Sequence, residues 1–207
     1  MNAAIRWRII VLQVVALFVL VLGTVGAYAA YSFTTDQIHS QLAPQQIFFP
    51  KDAAAGLPDN LKQYAGQQVL TGEQAHAYAE KFLGLHLSEI GQGHPYSYWS
   101  GKAIADRAAA AAATDPTTKA DLTAQAAKEQ GTADTMFKGE TLKGLLNEAY
   151  AFSVFGLIAF YATIGLGLAT LVVLGALIFE LIDARRSRYG VAQLAPTASI
   201  REPVAVN

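Results

Sequence analysis

Hydrophobic positions along this chain fall into two long unbroken runs separated by a segment with helical spacing. The first run, Ile9 to Tyr31, is interrupted only by Gln13 and Thr24, and the second, Ala149 to Phe179, is 31 residues without a charge. About 20 apolar residues cross a hydrocarbon core about 30 Å thick, so each run predicts a membrane helix. At the helical rise the second run is about 46 Å long, more than a bilayer needs. Either its first dozen residues stand above the membrane and present Phe152 and Phe155, or the helix tilts strongly.

Between the runs the pattern changes three times. Thr34 to Leu42 continues the first helix until Pro44 stops it. Gln45 to Pro50, with Ile47, Phe48 and Phe49, predicts an extended packing segment, and Lys51 to Asp59 a loop leading into a short helix through Leu61 and Tyr64. Thr71-Gly-Glu-Gln74 has the form of a capping box and opens the clearest helix of this segment, which Gly91 or Gly93 ends. Ala75, Tyr78, Ala79, Phe82, His86 and Ile90 form its apolar stripe. A glycine- and aromatic-rich turn, Gly91 to Gly101, comes next. From Gly101 to Gly131 there are twelve alanines, and Ile104 and Leu122 are the only large aliphatic side chains. That composition favours helix, and Thr114-Asp115-Pro116 supplies a turn, so residues 101–131 predict a polar, alanine-rich hairpin that builds no core of its own. A further helix is expected to begin at Glu140 and to run into the second apolar stretch.

Basic residues orient the two spans. Arg6 and Arg8 precede the first, and Arg185, Arg186 and Arg188 follow the second. The positive-inside rule then puts both termini in the cytoplasm and the intervening segment, with 9 basic and 13 acidic residues, outside. The expected protein is all-α and multi-pass in the cell (plasma) membrane. Residues 1–8 form a cytoplasmic N-terminus, 9–31 a first transmembrane helix and 32–148 an extracytoplasmic helical segment. Residues 149–182 form a long helix containing the second span, and 183–207 a cytoplasmic tail. Ala27-Tyr28-Ala29 also fits a signal-peptide cleavage site, which would remove residues 1–29. The apolar run continues past that site, and Trp7 and Tyr28 are spaced to sit at two interfaces, which favours retention.

Small residues mark candidate packing faces on the spans: Gly23 with Ala27, Gly26 with Ala30, and Gly165 with Ala169. They suit pairing of the two spans, homodimerisation or docking on a larger complex. Glu180, near the cytoplasmic edge, is placed to reach Arg185 or Arg8 rather than to form a proton path.

Composition narrows the chemistry. Among 207 residues, 15 Lys and Arg balance 16 Asp and Glu, so no basic field marks a nucleic-acid binder, and no cysteine is present for disulfides or thiolate ligands. His39, His76, His86 and His94 all fall between the spans, but their spacing does not make a metal set; His76 is expected to be solvated and His86 packed. Gly91-Gln-Gly93 and Gly101-Lys102 lack the remaining glycines and hydroxyl of a phosphate loop. No cofactor is expected. His86, Tyr96, Tyr98 and Trp99 remain as ligand or interface candidates, the aromatic trio serving equally as an anchor on lipid headgroups.

With its two spans, helical middle and the run Gly139-Glu-Thr-Leu-Lys-Gly-Leu-Leu-Asn-Glu-Ala-Tyr150, the chain resembles uncharacterised two-span membrane proteins of high-GC Gram-positive (actinobacterial) type. That resemblance implies no activity and no functional residues, and no dioxygenase ligand set is present. The middle segment is poor in large aliphatic residues and has no disulfide, which predicts that it gains stability by packing on the protruding second helix, on the membrane surface or on a partner protein. The expectation is therefore a non-enzymatic accessory or assembly subunit that contacts the lipid bilayer and binds another membrane protein or itself. An extracytoplasmic ligand or stress sensor is the alternative, and a membrane-bound enzyme component with a cofactor-bearing partner the third reading.

Overall fold

The structure, a computed structural model, describes residues 3–193, with side-chain surroundings for 4–186. Arg188 and residues 194–207 of the expected tail lie outside these limits. Every regular element among the described residues is helical. Helix α1 spans Ala3–Leu42, α2 Gly72–Ala77, α3 Gly84–Ile90, α4 Tyr96–Ala112 and α5 Pro116–Gln193. A π-helical turn, Tyr78–Leu83, joins α2 to α3, and 3-10 turns cover Ala43–Gln45, Ala53–Ala55 and Asp59–Tyr64. The extended stretch around Phe48 makes a single antiparallel bridge with Gln68.

Two compact units share α1 and α5. The first comprises residues 1–28 and 160–207, the second 29–159. In the first, α1 and α5 lie side by side, joined near one end by an ion pair from Arg6 Nη2 to Asp183 Oδ2 at 2.7 Å. Both helices are long and apolar enough to cross a membrane. Their outward surfaces carry Leu12, Phe18, Val19, Leu171 and Val172, each at least 60% exposed, an apolar cover that water would penalise and lipid would not.

The second unit has a true core. Ile38 and Leu42 of α1 meet Phe49, Leu57, Leu61 and Val69 of the connecting turns, Ala75 and Ala79 of the α2 region, and Leu146 and Ala149 of α5. Phe49 is the centre of an aromatic group, stacked on Tyr64 at 5.0 Å and edge-on to Tyr78 at 5.3 Å. Local chemistry places the pieces. Pro44 ends α1 within the turn Ala43–Gln45, and the capping box forms, with Gln74 N–H donating to Thr71 Oγ1 at 3.2 Å and Gln74 Oε1 accepting from Thr71 N–H.

Three expectations are corrected here. The π-helical turn inserts one residue into the helical repeat, so Leu87 and Gly91 take the buried places that the 3.6 period gave to His86 and Ile90; Ile90 is 43% exposed. Helix α4 begins at Tyr96, so Tyr96, Tyr98 and Trp99 form its first turn instead of lying in a loop to Gly101. And α5 runs through Gly131 and Gly139 without a new start at Glu140. Each helical glycine costs about 1 kcal/mol relative to alanine, and Ala133 and Met136, which lie between them, are buried.

Candidate functional site

The small residues on the spans divide by direction. Gly23 faces the neighbouring helix, where a Cβ would meet Leu166 Cδ1 at 3.3 Å, and Gly167 approaches Thr24 Cγ2 within the same unit. Ala27 and Ala169 are half-buried. Gly26, Ala30 and Gly165 are exposed, and open space surrounds the position of a Cβ on either glycine. So only part of the small-residue set is used between the two helices. Gln13, half-buried in α1, has a side-chain oxygen Oε1 without a hydrogen-bond donor.

In the second unit the run Gly139 to Tyr150 is where α5 packs on α2 and α3. A Cβ at Gly139 would collide with the side chain of Leu87, so any other residue there would force the buried Leu87 to move. Leu146 and Ala149 enter the core. Beside them lies a polar relay that sequence reasoning missed. His76 Nδ1 lies 3.0 Å from Asn147 Oδ1, Asn147 Nδ2 donates to Glu80 Oε1 at 2.7 Å, and Lys143 Nζ sits 3.1 Å from Glu80 Oε2. Because Glu80 accepts, it fixes the orientation of the Asn147 amide, whose oxygen then requires the proton on His76 Nδ1. His76 also stacks on Tyr150 at 4.3 Å; it is half-buried and partnered, in correction of the expected solvated side chain. The Asn147 hydrogen bond, then Lys143, hold the Glu80 carboxyl below its ordinary range.

The aromatic candidates at the start of α4 do come together, with His94. Its ring stacks on Tyr98 at 3.9 Å, and Tyr98 meets Trp99 edge-on at 5.3 Å. Trp99 Nε1 donates to Gly91 O at 3.0 Å, which anchors the indole to the turn, and Tyr96 leans on Phe137 of α5 at 5.6 Å. His86 is not part of this group. Its Nδ1 pairs with Phe82 O at 2.9 Å and its ring packs on Phe82.

Behind Trp99 the α4–α5 hairpin closes on alanine. Ala103 and Ala110 face inward from α4 and Ala126 and Ala133 from α5, each pair seven residues apart, as in an antiparallel coiled coil. The other seam position reads Trp99 then Asp106 on α4, and Leu122, Glu129, Met136 on α5. A charged layer therefore interrupts the seam. Glu129, 4% exposed, is the one buried charged residue among those described. Its Oε1 accepts from Lys102 Nζ and from Gln125 Nε2, while Glu129 Oε2 and Asp106 Oδ2 are shielded and find no donor. Arg107 and Gln130 add an exposed bond across the hairpin at 2.7 Å. The seven-residue repeat was the signal that could have found this layer; counting large aliphatic side chains hid it.

Two grooves mark the second unit. One, about 760 Å³, is apolar and runs along α1 and α5, walled by Phe33, Ile38, Leu42, Leu145, Leu146 and Phe152 with no basic residue in its lining. The other, about 540 Å³ and polar, lies between Trp99, Lys102, Gln125, Lys128, Glu129 and Thr132. Among the described residues no three His, Asp or Glu side chains are placed to hold a metal ion. Fold and sites together define an all-helical protein with two helices of membrane-crossing length and a helical unit bearing an open apolar groove. Compared with known proteins, the chain matches no family model, no curated protein and no solved structure.

Proposed function

We propose that this chain is an integral membrane protein that works by binding, as an accessory or assembly subunit of another membrane protein. Arg6 and Arg8 before the first span, and the arginines from Arg185 after the second, favour both termini in the cytoplasm and residues 32–148 outside. The observation that carries the reading is the 760 Å³ apolar groove of the second unit, where Leu145 remains 59% exposed and Phe33 65%. Exposed apolar surface of this extent is costly in water and is the usual mark of an interaction site. The outward Gly26 and Gly165 offer a second place of close approach within the spans.

The test is purification of the full-length tagged protein in native nanodiscs at its natural expression level, with mass spectrometry of what accompanies it. A stoichiometric membrane-protein partner lost on Leu145→Glu or Gly165→Leu supports the reading. A lone monomer or dimer carrying a small molecule overturns it. That outcome would instead support an extracytoplasmic ligand sensor, which the polar groove beside Trp99 favours.

A further inference from the structure

We propose that the hairpin seam is a proton-operated lock, in which a single proton shared between the carboxyls of Asp106 and Glu129 holds α4 against α5. The inference rests on the hairpin alone and not on the identity of any partner. Charge counting at the layer motivates it. Lys102 supplies one positive charge to two carboxylates, and it is committed to Glu129 Oε1. Each carboxyl keeps an oxygen without a donor, Asp106 Oδ2 and Glu129 Oε2, shielded from water. Two such oxygens across a closed seam repel when both groups are ionised, and one proton converts the repulsion into an O–H to carboxylate hydrogen bond. The proton resides on Asp106, the partner without the lysine, and the Asp106 O–H donates to Glu129.

None of the surrounding groups donates to Asp106 Oδ2 or Glu129 Oε2. On α4, Lys102 stands one turn before Asp106, with Tyr98 a further turn back, and Arg107 is directed to Gln130 Oε1 at 2.7 Å. On α5, Gln125 donates to Glu129 Oε1, Gln130 Nε2 is engaged by Asp134 Oδ1 at 2.7 Å, and Lys128 lines the outer groove. Burial, then contact with Glu129, raises the Asp106 carboxyl above its ordinary range, while Lys102 lowers that of Glu129. The signs follow from linkage. Because Asp106 holds its proton more tightly folded than unfolded, the hairpin loses stability as pH rises from the ordinary carboxylate range through the raised value. Glu129 acts oppositely, its contribution vanishing as pH falls through its lowered value. Stability peaks between the two, where one proton is bound.

A proton lock differs from a static polar layer in its response to Asp106→Asn, which supplies a permanent N–H donor of the same shape. Thermal unfolding of the full chain in nanodiscs would be followed against pH by Trp99 fluorescence, in a Trp7→Phe background. The unsubstituted seam should lose a few degrees of midpoint temperature across the window above the ordinary carboxylate range, and Asp106→Asn should lose none of it. Parallel profiles for the two proteins overturn the lock. Should Asp106→Asn fail to fold, infrared spectra of the unsubstituted protein with isotope-labelled aspartate decide the matter. A protonated aspartyl carbonyl band that persists above the ordinary range supports the lock, and its absence refutes it.

Discussion

Within the second unit, the core around Phe49, Leu61 and Leu146 and the seam between α4 and α5 solve the same packing problem in opposite ways. The core brings together large side chains from distant parts of the chain, and three of them, Phe49, Leu61 and Leu146, are at most 2% exposed. Its free energy comes from apolar area removed from water. The seam buries alanines, which contribute little area but let two helix backbones approach closely, and it is interrupted by the layer of Lys102, Asp106 and Glu129. The core supplies stability; the seam supplies alignment.

The contrast makes ranked predictions. Leu146→Ala removes a buried side chain from the core and leaves a cavity, so it should cost about 2–5 kcal/mol of unfolding free energy by denaturant titration. At the four buried alanine positions of the seam no such change can be made, because the side chain is already the smallest. The sharper test there is the reverse substitution. Ala133, 0% exposed, has no room for a larger side chain, and Ala133→Leu should cost about 1–3 kcal/mol through overpacking. If Ala133→Leu stabilised the protein instead, the seam would be loosely closed and the distinction would fail. Thr71→Ala, which removes the cap of α2 but no buried side chain of either region, should cost about 1 kcal/mol.

How much of this was legible beforehand follows from which physical signal each element carries. The two apolar runs, the end of α1 at Pro44 and the capping box at Thr71 depend on local chemistry, and the residues display them directly. The buried face of the α2–α3 region was legible as far as Phe82, which packs against the core. Beyond it the π-helical turn shifted the face by one residue, so that Leu87 is the side chain that meets α5 at Gly139, and a 3.6-residue period does not display such an insertion. The aromatic candidates Tyr96, Tyr98 and Trp99 were found because their types are conspicuous, although they lie on a helix and not in a turn. Asp106 and Glu129 were passed over because charged residues normally mark a solvated face. Only their placement one heptad from Trp99 and Met136 reveals that they point inward.

The smallest expected effect sharpens the comparison most, because it sets two carboxyls of one unit against each other. Glu80 belongs to the core side, bound by Asn147 and Lys143, and its carboxyl is held below the ordinary range. A depressed value means stability that is present above the ordinary glutamate pKa and lost as pH falls through the folded one. Glu80→Gln keeps an oxygen for the Asn147 amide but gives up the pair with Lys143. The side chain is 38% exposed, so solvent screening limits the cost near neutral pH to under about 1 kcal/mol. Its signature is in the pH profile rather than in the magnitude. Glu80→Gln should make the acid limb of thermal stability shallower, leaving the share of Glu129, and should leave the loss above the ordinary carboxylate range untouched. Asp106→Asn should do the reverse, removing the loss at higher pH while Glu80's share of the acid limb remains. Identical profiles for the two variants would mean that core and seam titrate as one body, and that alignment and stability are not separately held in this unit.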